Sequence, residues 1–341
     1  MSQNFQTWGD IPSRVGVQAV GRALAHAEFE NVVTKFAKIF PFTDNKGQVI
    51  RFRRRKPFAI STVPLVEGIT PAPTAYEQEI VDFRIQQFGA LYRVSDWVVD
   101  LHEDPILNDI AEEAGVQATH VREFVMWGYI RSGTQVIYEG GVAGREDVIA
   151  PISLDSISAA VNLLERNMAK PVTEMIKAGP GIGTEPIGHG WIGLGHVDQR
   201  FDFEEMDSFV PYYRYGSANN LAQTSRYEIG AVRGNVRIFL APHLVYFPNA
   251  GDAVGASGMR SDNGTNVNVY PFVIFGREAF GAIPMKGMNT TNLVVRRPTM
   301  GDDSDPLGQR ATVAWKFWFT GGILNPRWIV RIESAASALG G

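Results

Sequence analysis

Six histidines, a glycine-rich stretch, two acidic clusters and one run of arginines are the residues whose types and spacing could do chemistry. The histidines are His26, His102, His120, His189, His196 and His243. None stands in an HExxH pattern. His189 and His196 are separated mainly by glycines and apolar residues, and Asp198 or Asp202 would have to complete a metal site. Satisfied or exposed histidines explain this spacing more simply, so no metal ligand is expected. Gly179, Gly181 and Gly183 superficially resemble a phosphate loop. Such a loop needs a preceding strand, a following helix and a Lys-Ser/Thr pair, whereas here Thr184 is followed by Glu185 and Pro186. A loop is the better reading. His102-Glu103-Asp104 reads as a helix start with negative charge at the N-terminal dipole. Asp302, Asp303 and Asp305 lack the spacing of an EF-hand and read as a solvated turn. There is no GxSxG, no recognisable Ser-His-Asp set and no cysteine. The chain is therefore expected to be no enzyme, with no catalytic residue and no cofactor.

The arginine run is the sharpest cluster: Arg51, Arg53, Arg54 and Arg55, followed by Lys56. Three uses compete. Arginines bind phosphate backbones. They form planar bidentate pairs with carboxylates across subunit contacts. They also guard exposed strand edges against aggregation. The chain is mildly acidic, net −4, and a dedicated nucleic-acid binder is normally basic on one face. The subunit contact ranks first, the guarded edge second and DNA third. Glu67, Glu77, Glu79 and Arg84 join the five basic residues as interface candidates.

These residues need elements to hold them. Hydrophobic residues are 45% and charged residues 20% of the 341, the balance of a folded protein with a sizeable core. No stretch reaches the roughly 18 apolar residues of a membrane helix, and no signal peptide is visible at the start. A soluble protein made in a cytoplasm is expected, and NGT at Asn263 and NTT at Asn289 are chance matches to a glycosylation pattern. Residues 1–26 read as a polar arm and 27–39 as a short helix. Val49 to Arg54 alternates as a strand, 61–78 is a tip broken by Pro64, Gly68, Pro71 and Pro73, and Ile80 to Val99 returns as a strand. The economical reading is an antiparallel hairpin. A two-stranded ribbon is not stable alone in water, so a neighbouring subunit is expected to cover it. Asp104-Pro105 opens a helix to Arg131 of about 40 Å, with a stripe of Ile106, Ile110, Ala114, Ala118, Val121, Phe124, Val125 and Gly128. Leu154 to Ala169 is a second helix, with Leu154, Ile157, Val161, Leu164 and Met168 inward. Trp191–Val197, Tyr227–Ala231, Arg237–Leu240 and Val267–Phe275 read as strands, and Phe203–Val210 as a short helix. The closing segment 311–334 alternates with a break at Gly321-Gly322.

Two segments resemble the enquatrovirus-type (N-four-like) major capsid protein family of tailed phages. LVEGITPAPTAYEQEIVDFRIQQFGALYRVSDWVVDLHEDPILNDIAEEAG (65–115) is similar to that family's arm tip, returning strand and entry to its long helix. GQRATVAWKFWFTGGILNPRWIVRIES (308–334) is similar to its closing strand, with Ala314 where glycine is usual. The resemblance implies an α+β Hong Kong 97 capsid fold. Its N-terminal arm would be 1–40 and its extended loop 41–100, with the hairpin at 47–99. The peripheral domain with the spine helix would be 101–140, the axial domain together with peripheral-domain segments 141–305, and 306–341 would return to the peripheral domain. The implied function is self-assembly into hexamers and pentamers of an icosahedral head enclosing double-stranded DNA, without sequence-specific binding and with no membrane. Implied partners are other copies and separate scaffold, portal and decoration proteins; the implied location is the virion, assembled in the host bacterial cytoplasm. An encapsulin-like nanocompartment of the same fold is the alternative, and an uncharacterised hydrolase a more distant one.

Overall fold

A computed structural model describes residues 30–42, 47–65, 67–68, 70–101, 106–176, 184–214, 225–233, 235–255, 257–285, 292–298 and 305–338. The expected arm at 1–26, the start of the first helix at 27–29, the Asp104-Pro105 helix start, the glycine-rich loop around Gly181, and Asp302 and Asp303 lie outside these.

The chain opens with β1 (Lys38–Ile39), β2 (Val49–Arg55), β3 (Gln78–Arg84) and β4 (Gln86–Ser95). Two helices follow, α1 (Asp96–Leu101) and α2 (Ile106–Ile130), then β5 (Val136–Tyr138) and α3 (Leu154–Arg166). The middle holds β6 (Val172–Ile176), β7 (Thr184–Gly195), α4 (Arg200–Glu204), β8 (Phe209–Pro211), β9 (Glu228–Val232) and β10 (Val236–Leu240). It closes with β11 (Tyr270–Phe275), β12 (Phe280–Pro284), β13 (Asn292–Arg296), β14 (Arg310–Ile323) and β15 (Ile329–Ser334).

The largest sheet has eight strands, in the order β5-β15-β11-β7-β10-β9-β8 with β6 beside β7. Its central strands are buried on both faces, which is why they read as near-continuous apolar runs. Alternation sorts their side chains. Trp191, Ile238, Phe272 and Ile274 face α3, which contributes Ile157, Ala160 and Leu164. Ile192, Leu194, Phe239, Val273 and Phe275 face the other way. There they join a core shared with α2 and the second sheet.

That second sheet has five strands: β1-β12-β14-β13, with β4 also paired to β14. β14 sends Val313, Trp315, Phe317 and Phe319 inward to Ala114, Ala118, Met126 and Trp127 of α2. Trp315 and Phe317 stack at 5.3 Å, and Arg122 lies over the Phe317 ring at 4.5 Å. β14 runs unbroken through Gly321 and Gly322, contrary to the break expected there. A Cβ on Gly321 would lie 2.1 Å from Met126 Sδ, and one on Gly322 would lie 2.1 Å from the Phe83 ring. These glycines let helix and arm approach the strand rather than end it.

Other expectations are corrected similarly. Among the described residues, 33–36 form only a single 3-10 turn, and Lys38–Ile39 pair with Gly281–Ala282 instead of continuing a helix. The returning strand is two strands divided at the buried Ile85, and it ends at Ser95, where α1 takes up Trp97 to Val99. Phe203–Val210 is no helix; α4 ends at Glu204 and 209–211 are a strand. In α2, Phe124 is exposed and the buried stripe continues instead through Glu123, Met126, Trp127 and Ile130. Met168 lies beyond α3 with φ 53° and is exposed, so it leaves the inward stripe.

Candidate assembly interface

β2 and β3 pair alone, as a two-stranded ribbon, in the register Val49↔Arg84 to Arg55↔Gln78. Both strands alternate exposed and half-buried residues. The half-buried face carries Ile50, Phe52, Val81 and Phe83. It lies on the body: Phe52 meets Phe40 at 4.9 Å and Phe83 at 5.6 Å, and Ile50, Phe52 and Phe83 pack against Phe42, Ile85 and Ile283. The base of the ribbon is therefore anchored.

The register also places opposite charges across the ladder. Arg51 holds Asp82 in a bidentate pair, Nε to Oδ1 and Nη2 to Oδ2, both 2.8 Å. Arg54 Nε donates to Glu79 Oε2 at 2.9 Å, and its Nη1 donates to the Leu324 carbonyl at 3.2 Å. Lys56 Nζ reaches Glu77 at 2.8 Å. The hydrogen bonds and charges of these cations hold the three carboxyls below their ordinary range. Five charged candidates named from sequence, Arg51, Arg54, Lys56, Glu77 and Glu79, thus meet within one arm, together with Asp82, which was not named. Arg53, Arg55 and Arg84 face outward on the exposed side, and Glu67 sits in the tip turn. None of these four makes an ion pair with a described residue within the subunit.

Beyond Lys56 the described tip residues are exposed. Four of them are apolar and large: Phe58 at 59%, Ile60 at 90%, Val63 at 76% and Leu65 at 78%. Sequence reasoning weighed the charges and passed over these. The signal was present, since Phe58 and Ile60 alternate in a stretch that proline keeps from folding locally. Several large exposed apolar side chains in one segment make it a candidate for a protein contact.

A further residue was missed. Glu123, in the middle of α2, is fully buried. Its carboxylate accepts the backbone N–H groups of Val32 and Val33 at 2.6 Å and of Thr34 at 3.0 Å. His243 Nε2 lies 3.4 Å away. Burial alone would raise the Glu123 pKa; the hydrogen bonds from His243, Val33, Val32 and Thr34 outweigh it and bring it below the ordinary value. Glu123 thereby ties the segment entering the body to the long helix.

The residues considered for a metal do not form one site. His189 is exposed, and His196 is buried with Nε2 on the Pro242 carbonyl. Asp198 is held by Tyr270 at 2.9 Å and Arg260 at 3.0 Å, and Asp202 accepts the Ser337 N–H. Among the described residues no three His, Asp or Glu side chains are grouped as metal ligands, and no helix is long and apolar enough to cross a membrane.

No family model matches the chain. It is 21% identical over 278 residues to the major capsid protein of Pseudomonas phage KPP21, covering 76% of this chain and 69% of that one. The capsid structure of Ralstonia phage GP4 superposes over all of both chains with TM-score 0.67 and 11% identity. The capsid of cyanophage Pam1 matches 99% of this chain and 100% of its own with TM-score 0.64 and 10% identity. The relative and both neighbours are phage capsid proteins, and this chain has their Hong Kong 97-like fold.

Proposed function

We propose that this chain is the major capsid protein of a tailed phage, a non-enzymatic shell subunit whose place is the virion. The single observation that carries the reading is the arm: a ribbon anchored at its base, with an exposed apolar tip and an outward row of arginines, beside a body whose two main cores lie outside it. The base of such an arm rests on its own body, and its apolar tip finds cover on another copy. Association then rests on many modest contacts made simultaneous by symmetry.

Finer assignments follow from the same reading. The five-stranded sheet with α2 serves as the peripheral domain, the eight-stranded sheet with α3 as the axial domain, and β2–β3 as the extended loop. Arg53, Arg55, Arg84 and Glu67 are the charged groups left for a neighbouring subunit. The motifs at 65–115 and 308–334 support placement in the N-four-like family. Hexamers and pentamers enclosing double-stranded DNA, with separate scaffold, portal and decoration proteins, complete the picture, and a net charge of −4 suits a container that does not grip its contents. Negative-stain electron microscopy of the purified chain tests this. Closed shells are expected; a protein that stays monomeric under assembly conditions overturns it. Shells filled with protein cargo rather than DNA would favour the nanocompartment alternative.

A further inference from the structure

The five-stranded sheet turns one face to α2. The arm's base lies on the other, where Trp318 joins the cluster of Ile283, Phe52 and Phe83. Towards the start of β14 that outer face is open to solvent. The register sets Leu91, Ala314 and Val294 in one row across β4, β14 and β13. Alternation with the buried Val313 and Trp315 points the row outward. Leu91 is 53% and Val294 41% exposed. On one side of this row Arg93 lies opposite Thr312; on the other the exposed Lys316 lies opposite Gly89. Arg296 and Arg310 add positive charge to the same face, and both have partners within the subunit. Arg93 and Lys316 form no ion pair with a described residue. No carboxylate stands on these rows. An apolar strip thus runs between two rows of cations about 13 Å apart along the strand. An apolar centre with a charged rim is the anatomy of a protein contact. A phosphate backbone would use the cations and leave Leu91 and Val294 without a role.

α1 carries the opposite character. It buries Val98 and exposes Trp97 and Leu101, one turn apart on the same side, with the exposed Asp100 beside them. Asp109, Glu112 and Glu113 are exposed on the first turns of α2. Residues 96–113 hold seven acidic residues and no lysine or arginine. Exposed Trp and Leu side chains beside acids complement exposed Leu and Val side chains beside cations. Both surfaces are open on the same subunit, so α1 does not cover its own sheet face, and a second copy supplies the match. A closed ring of like subunits requires two different, complementary surfaces on each.

We infer that α1 and the first turns of α2 of one copy dock on the open sheet face of a neighbouring copy. Trp97 and Leu101 rest on the Leu91–Ala314–Val294 row, and the acidic residues turn towards Arg93 and Lys316. This rests on the capsid reading and adds to it a contact in which the arm takes no part. Trp97 is the anchor, since a large aromatic ring buried at the centre of a contact carries a disproportionate share of its energy. The charges fix orientation and exclude like-charged partners.

Carbodiimide joins an amine to a carboxylate in contact with it, as an amide, and itself takes up the water lost. In shells assembled from equal parts of unlabelled and heavy-nitrogen-labelled chain, it is expected to join Lys316 to Asp100, Asp109, Glu112 or Glu113. The linked peptides should include pairs of mixed isotope, which only two copies can give. Free subunits should give no such pair. Trp97→Ala removes an exposed side chain, so its thermal midpoint should stay within about 2 °C of the parent's. The subunit concentration needed for assembly should rise by about tenfold or more. Intact shells in which Lys316 links to none of these residues, or an assembly threshold unmoved in Trp97→Ala, overturn this inference and leave the capsid reading standing. Failure of the unaltered chain to form shells overturns both.

Discussion

The hairpin arm and the eight-stranded sheet are both β structure, yet opposite forces hold them. In the sheet, β9, β10, β11 and β15 are buried on both faces and their side chains fill two cores. In the arm, cross-strand ion pairs and one half-buried face do the work, and the described residues of the tip are exposed. Surface ion pairs add little to stability, whereas buried apolar area is the dominant favourable term. The difference separates two tasks. The body carries the packed cores, and the arm is the part proposed for association.

Removing Phe272 should have the largest effect on folding. It is fully buried and meets Phe203 at 4.9 Å, so Phe272→Ala is expected to cost about 3–5 kcal/mol in a denaturant titration. A small loss there, comparable to an arm substitution, would erase the contrast. Glu123→Ala comes next. It strands three backbone N–H groups in the interior, at a cost of roughly 2–4 kcal/mol. Glu123→Gln keeps an acceptor and should lose less. Because the folded pKa of Glu123 is depressed, its contribution is complete above the ordinary carboxylate range and is lost as pH falls through the lower folded value. Stability titrated against pH should therefore fall more steeply on the acid side in the native chain than in Glu123→Gln.

Much of this contrast was legible in the residues. Alternation from Val49 to Arg54 and the prolines of the tip marked the ribbon, and unbroken apolar runs marked the buried strands. The division at Ile85 was not visible, because the alternation of β3 continues into β4 while the partner changes from β2 to β14. Gly321-Gly322 read as a stop because a glycine pair signals a turn; only the positions of Met126 and Phe83 show that it makes room. Glu123 was hidden because a lone glutamate in a helix ordinarily faces water, and its partners lie about ninety residues away in sequence. Asp82 was likewise invisible as the mate of Arg51 until the register was known. β12 and β13 went unread, being short strands whose identity depends on β14.

The smaller effects on folding belong to the arm. Arg53→Ala/Arg55→Ala should leave the thermal midpoint within about 2 °C of the parent chain. The same double variant should shift the assembly midpoint, with a gap that narrows as salt rises. Equal assembly across ionic strengths would remove the outward arginines from the contact.

The most direct test deletes the tip, residues 62–76, and examines the product by thermal unfolding and electron microscopy together. An unchanged midpoint and no closed shells are expected. Normal particles from the deleted chain would contradict it.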